Sequence, residues 1–297
     1  MAVAHLDEWT GEDVSVAEIE HQLALLREAS AAEGGSPDLR MSTMSHIAWV
    51  PEPWYERAIS TLRGMGERHP SRTIVLVPEP DAGVNRLDAE LELECFPLDS
   101  ARGHVCAEVV VLRLKGTRAA APASIVQPLL ISDLPVFCRW RGEPPFGTPP
   151  FEQLVEIVDR LVVNSEEWDD LPFPYGKLVK VFDQTAVSDI AWSRTLGWRR
   201  ALAALWPGIA EASKLRVEGP AADALLLQAW LRARLERDVD LEHVAADELK
   251  AVAVDGHDIE APRTTPPTPS ELLSNELDHY GHDPIYEEAV RTAAVDI

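Results

Sequence analysis

Two segments alternate side-chain character with a period of two: Arg86–Phe96, RLDAELELECF, and Gly103–Gly116, GHVCAEVVVLRLKG. That period is the strand repeat, because successive side chains leave opposite faces of an extended chain. One face of each segment is apolar and the other is polar or acidic, so both strands are half exposed. The intervening PLDSARG has turn chemistry, which makes the pair an antiparallel hairpin. Folded about a turn near Ser100 and Ala101, Cys95 falls opposite Cys106. Directly opposed Cβ atoms lie about 4.5–5.5 Å apart. That nearly permits a disulfide, but the reading from the residues is two reduced thiols packed as small hydrophobes. A slip of one residue would separate them to opposite faces.

The hairpin sits in a mixed α/β pattern. SVAEIEHQLALLREAS places Ser15 and Glu18 at capping-box spacing and Ile19, Leu23 and Leu26 on one helical face. WYERAISTLRGMGERH is helical, with Tyr55, Ile59 and Leu62 on one side. SRTIVLVPE is a β-branched strand stopped by Pro78, and LPVFCRW is another. PASIVQPLLISD is a short helix interrupted by Pro128, and PFEQLVEIVDRLVVNS is helix then strand. VSDIAWSRTLGWRRALAALW predicts one long helix, capped by Ser188, with Trp198, Leu202 and Leu205 in one stripe. KLRVEG is a strand, and Gly219-Pro220 opens a helix carrying Leu227, Leu231 and Leu235. Asp238–Gly256, DVDLEHVAADELKAVAVDG, holds one or two strands. EAPRTTPPTPSE is a proline-rich linker, followed by two short helices split at Gly281, with Ser270 and Asp283 as caps.

The expected fold class is α/β, a mixed sheet with flanking helices, plus a smaller α+β C-terminal domain. The expected division is an N-terminal helix and linker over 1–40, an α/β domain over 41–167, and a C-terminal domain over 168–297 with its linker at 260–269.

Composition narrows the function classes. Asp and Glu number 50 against 27 Lys and Arg, a formal net charge of -23. Such a field repels nucleic acid and anionic membranes, so a macromolecular partner is expected to be a protein. No apolar run approaches the ~20 residues that cross a bilayer. Three cysteines without a CxxC pair, and an N-terminus without a signal-peptide pattern, point to the cytoplasm.

Motif chemistry is sparse. The sequence contains no GxGxxG, GxxxxGK[ST], GxSxG or HExxH. No cofactor or metal is expected. His279 and His282 have helical spacing but span Gly281, so a capped, solvated turn is the preferred reading. His69, Ser71 and Arg72 stand at the mouth of a strand, where an anion site would place them. The competing reading makes Arg72 a structural ion-pair partner. Asp189 and Arg194 could pair beside Trp192.

The stretch Ser132–Gly147, SDLPVFCRWRGEPPFG, is the most informative. Val136, Phe137 and Cys138 read as a buried strand that empties into Arg139, Trp140, Arg141, Glu143 and, past two prolines, Phe146. Three readings fit: an active-site loop, a docking surface for a second protein, or a solvated loop.

MSHIAWVPEPWYERAISTLRGMGERHPSRTIVLV, CAEVVVLRLKG, QPLLISDLPVFCRWRGEPPFG, DIAWSRTLGWRRAL and LLSNELDHYGHDPIYEEAV occur in an order that resembles one family. The resemblance is to the glucose-6-phosphate dehydrogenase assembly proteins, the OpcA family, from about Val14 to Ala294. It implies a non-catalytic activator that binds glucose-6-phosphate dehydrogenase, promotes its active oligomer and feeds the oxidative pentose phosphate pathway. It makes the stretch after Cys138 a docking loop, with Arg139, Trp140, Arg141, Glu143 and Phe146 as contacts. Two rivals remain from the residues alone: an enzyme using Arg72, Asp133 and Arg139 at the ends of adjacent strands, and a sensor binding a sugar phosphate there.

Overall fold

The hairpin forms as its alternation requires. In the computed structural model, β4 (Leu87–Pro97) pairs antiparallel with β5 (His104–Lys115), Leu87 opposite Leu114 and Pro97 opposite His104. Leu87, Ala89, Leu91, Leu93 and Cys95 are buried, while the interleaved Asp88, Glu90 and Glu92 are only half-buried. The structure describes residues 5–34, 42–63, 65, 68–97, 104–262 and 267–295. The turn expected near Ser100 and Ala101 lies outside them.

Register decides the cysteines against expectation. Cys95 and Cys106 are direct partners in the ladder and are joined as a disulfide, not held as reduced thiols. Eleven ladder pairs within the hairpin and seven between β4 and the flanking strand hold that register, so the slip that would part them does not occur. Cys138 is the free cysteine; burial pushes its thiol up to about 12, so it is inert.

Around the hairpin an eight-stranded mixed sheet assembles in the order β1-β4-β5-β3-β2-β6-β7-β8. The added strands are β1 (His5–Gly11), β2 (Ser45–Trp49), β3 (Arg72–Glu79), β6 (Val136–Trp140), β7 (Arg160–Val163) and β8 (Ala186–Asp189). β1 pairs antiparallel with β4. β5, β3, β2 and β6 are parallel neighbours. Parallel strands are covered on both faces, and β2 and β6 are buried along their whole length. Pro78 does not stop β3, which continues to Glu79.

The chain forms two compact units: Met1–Leu161 with Pro269–Asp278, and Val162–Thr268 with His279–Ile297. In the first, α1 (Val16–Gly34) is capped by Ser15, whose hydroxyl accepts from the Glu18 amide, and buries Ile19 and Leu23. α2 (Tyr55–Arg63) lays Tyr55, Ile59 and Leu62 against Ala48, Val50, Val75, Val77 and Val111. α3 (Pro122–Val126) is cut short by a 3-10 turn at Gln127–Leu129, where Pro128 sits. α4 is Pro149–Val155.

In the second unit, α5 (Phe173–Leu178) precedes β8. The long helix expected over 187–206 is instead β8, α6 (Ile190–Arg194) and α7 (Leu196–Ala203). Asp189 caps it rather than Ser188, accepting from the Ala191 amide. Thr195 breaks it, its hydroxyl donating to the Trp192 carbonyl at 2.7 Å. A second, four-stranded sheet has the order β10-β9-β11-β12, from β9 (Lys214–Gly219), β10 (Asp240–Ala245), β11 (Ala251–Val254) and β12 (His257–Asp258). α8 (Ala221–Leu235) and α10 (Pro284–Ala294) pack together in this unit, while α9 (Pro269–Leu277) belongs to the first. Asp283 caps α10 as read, but Ser270 donates to the Thr61 carbonyl instead of capping α9. No described helix is long and apolar enough to cross a membrane.

Candidate functional site

β6 is buried from Val136 through Trp140, and Arg141 follows it inside. Register explains the tryptophan. Trp140 is the ladder partner of Trp49 on β2, so both indoles leave the same face. They stack with centroids 4.7 Å apart and planes 12° from parallel. Phe151 of α4 meets Trp140 edge-on at 5.2 Å, and Phe146 meets Phe151 in turn. Trp140 is 1% exposed. It is a core anchor, which corrects the expectation of a surface contact.

Arg139 is equally buried at 1%, on the opposite face. Its guanidinium donates to the Trp140 carbonyl. His46 is pushed down to about 3 by burial and then by Arg139, so it is neutral there. The Arg141 guanidinium donates to the Thr61 hydroxyl of α2 at 3.3 Å. The strand's burial in a parallel sheet removes Arg139, Trp140 and Arg141 from any docking surface in this conformation. Of the expected contacts, Glu143 and Phe146 stay half-buried, beside exposed Pro145.

The proposed anion group does not converge. Arg72 Nε donates to Glu108 Oε2 at 2.7 Å, and Nη1 to Glu20 Oε1 at 2.8 Å and to the Leu129 carbonyl at 2.6 Å. Arg27 holds the other Glu108 oxygen at 2.5 Å. Burial raises the Glu108 carboxyl, but the hydrogen bonds and charges of Arg27 and Arg72 prevail and hold it below the ordinary range. Arg72 is a structural ion-pair partner. Ser71 meets Thr73, hydroxyl to hydroxyl, at 3.3 Å.

His69 turns elsewhere, its Nε2 lying 2.5 Å from the Ser274 hydroxyl of α9 and 3.8 Å from Asp278. A serine-histidine-aspartate relay needs the carboxylate on the other ring nitrogen. Both groups meet the same nitrogen here, and Ser274 is buried, so the contact ties α9 down. Burial lowers the His69 pKa, Asp278 opposing.

The enzyme trio fails for a register reason. Arg72 is level with Ser45, whereas Arg139 is level with Ala48, three residues along the same strand. An odd separation puts the two guanidiniums on opposite faces. Among the described residues, no three His, Cys, Asp or Glu side chains group as metal ligands.

The second unit holds a polar network that sequence reading found only in part. Asp189 Oδ1 accepts from the Ser165 and Ala191 amides, and Tyr286 reaches Oδ2 at 3.4 Å. Tyr175 donates to the Ser165 hydroxyl at 3.0 Å. Arg194 pairs not with Asp189 but with Glu166 and with Asp223 Oδ1, the latter at 2.9 Å. Asp223 Oδ2 is buried without a hydrogen-bond partner among the described residues. Burial pushes Asp223 up to about 6 despite Arg194. Trp192 donates to Asp283 at 2.9 Å, under Arg199, whose guanidinium lies 3.4 Å from the ring centroid. Asp189 and Arg194 were visible as candidates. Ser165, Tyr175, Asp223 and Tyr286 carried no signal, because their role depends on folding over residues far away in sequence.

The expected stripe of α7 is also divided. Trp198 and Leu202 are buried, but Leu205 is exposed, since α7 ends at Ala203 and the helical phase is lost. Trp206 beside it is 65% exposed.

These side chains act as struts within the fold, and comparison with known proteins gives them context. A family model described as the glucose-6-phosphate dehydrogenase subunit N-terminal domain matches residues 64–177. A second, described as the C-terminal domain of that subunit, matches residues 185–290. A Synechocystis protein described as the OxPP cycle protein OpcA is 24% identical over 182 residues. That match covers 57% of this chain and 38% of the relative, so the chain spans well under half of the relative's length.

Proposed function

Because this chain belongs to the OpcA family of glucose-6-phosphate dehydrogenase subunits, we propose that it is a non-catalytic partner of that dehydrogenase. It binds the enzyme, favours the active oligomer and raises its activity in the oxidative pentose phosphate pathway. The observation that carries this reading is the succession of the two family domains, in order, over 64–177 and 185–290.

The side-chain chemistry supports it. Arg72 and Arg139, the guanidiniums of the enzyme reading, are engaged inside the fold. A net charge of -23 disfavours nucleic acid and anionic membranes as partners and suits the cytoplasm. The loop after β6, with half-buried Glu143 and Phe146, is our candidate contact with the dehydrogenase.

An activator of this kind works by binding the active oligomer more tightly than the inactive form. A tenfold shift in that equilibrium needs a differential affinity of about 1.4 kcal/mol. The test is to purify the dehydrogenase with and without this chain, follow the oligomer by sizing chromatography, and assay at limiting glucose 6-phosphate. Co-elution, a larger oligomer and higher activity are expected. No complex and unchanged kinetics refute the proposal.

A further inference from the structure

The segment Ile190–Ala210, IAWSRTLGWRRALAALWPGIA, carries three arginines and no carboxylate, in a chain whose acids outnumber its bases 50 to 27. Two of the arginines are spent internally: Arg194 on Glu166 and Asp223, and Arg199 on Trp192 and the Thr195 hydroxyl. The Arg200 side chain is exposed and has no ion pair or hydrogen bond among the described residues. The next acid along the chain, Glu211, is committed to Arg237 at 2.7 Å. Like exposed Arg118, Lys180 and Lys250, Arg200 is an outward cation clear of carboxylates among the described residues, and it is the one flanked by large exposed apolar side chains.

The backbone puts large apolar groups beside it. Leu202 is fully buried and anchors the end of α7. The Ala204 amide then bonds the Arg200 carbonyl, Leu205 that of Leu202, and Trp206 that of Ala203. These tight turns carry the chain outward, and every residue from Ala203 to Gly208 is exposed. Leu205 and Trp206 stand out at 43% and 65%, one turn beyond Arg200.

The geometry points to Leu205, Trp206 and Arg200 as a docking knob for the dehydrogenase, received in an apolar recess bordered by carboxylates. This rests on the function proposed above. Tryptophan and arginine are the residues most often found at the centre of protein interfaces, where an indole fills a pocket and a guanidinium finds a carboxylate. The charge pattern selects the occupant. A second copy of this chain would set one charge of -23 against another, whereas a distinct protein can offer local carboxylates without that global repulsion.

The test uses the full chain and the purified dehydrogenase, with affinity measured at low and high salt. Trp206→Ala is expected to weaken binding by about 30-fold, the level of an interface hot spot. Arg200→Glu is expected to weaken it by about tenfold at low salt and less at high salt. Both variants should melt with the wild type, because both positions are exposed. Phe173→Ala, at another large exposed aromatic of this unit, should bind within twofold. If the wild type binds but Trp206→Ala binds equally well, the knob is wrong and the function stands. If the wild type does not bind the dehydrogenase, both fall. If Trp206→Ala instead abolishes self-association of this chain, the occupant is a second copy and the proposal is overturned.

Discussion

Two stretches of this chain have nearly the same vocabulary and opposite fates. Arg139–Phe146, RWRGEPPF, and Arg199–Gly208, RRALAALWPG, each combine arginines, a tryptophan and a proline-containing turn. Trp140 is 1% exposed between Trp49 and Phe151; Trp206 stands clear of the fold. The difference lies in the neighbours. Trp140 ends a strand with a parallel partner in register on β2 and a helix above it. Trp206 follows the last turn of α7, where no element covers it. Residue type gives the capacity to bind, and tertiary cover decides whether that capacity is spent inside the molecule.

The largest test of this contrast is stability. Trp140→Ala removes a fully buried indole and should cost about 3–5 kcal/mol. Trp206→Ala should change stability by no more than about 0.5 kcal/mol. Urea denaturation of both variants measures the gap directly. Equal effects would break the comparison.

The arginines should divide in the same way. Arg72→Ala leaves Glu108 buried with Arg27 alone, and Arg194→Ala leaves Asp223 buried with no cation. Removing one partner of such a buried pair costs about 3–5 kcal/mol at neutral pH. Arg200→Ala, with no pair to break, should stay within about 0.5 kcal/mol.

The two carboxylates sharpen the contrast through pH. Glu108, gripped by two guanidiniums, has a folded pKa below its unfolded value. Its stabilisation is present above the unfolded value of about 4.3 and is lost as pH falls through the folded one. Asp223 has one guanidinium, shared with Glu166, and a folded value raised to about 6. The folded state binds its proton more readily, so this residue makes stability fall as pH rises from about 4 to about 6. Glu108→Gln should flatten the acid limb of the stability profile, and Asp223→Asn the opposite slope just above it. Denaturation midpoints measured from pH 3 to 8, a range of about five units around both groups, would show whether the signs are opposite.

The smallest effect concerns the loop after β6. Phe146→Ala loses an edge contact with Phe151 at a half-buried site and should cost about 1 kcal/mol. A larger loss of affinity for the dehydrogenase than of stability would show that this loop contributes to docking as well.

Local pattern was enough for the elements whose partners are close in sequence. Alternation and a turn between Pro97 and Gly103 yielded β4, β5 and the opposition of Cys95 to Cys106. Ser15 and Asp283 marked helix starts that form as read. Tertiary structure alone decided the rest. β1 and β2 are short and irregular in pattern, and exist because β4 and β3 offer open ladders to them. Arg72 was legible as an ion-pair partner, but Glu20, Glu108 and the Leu129 carbonyl meet it only after α1, β5 and the turn past α3 converge. Trp140 and Trp206 could not be ranked from sequence. Burial depends on which distant segment arrives to cover a side chain, and a local window contains no record of that arrival.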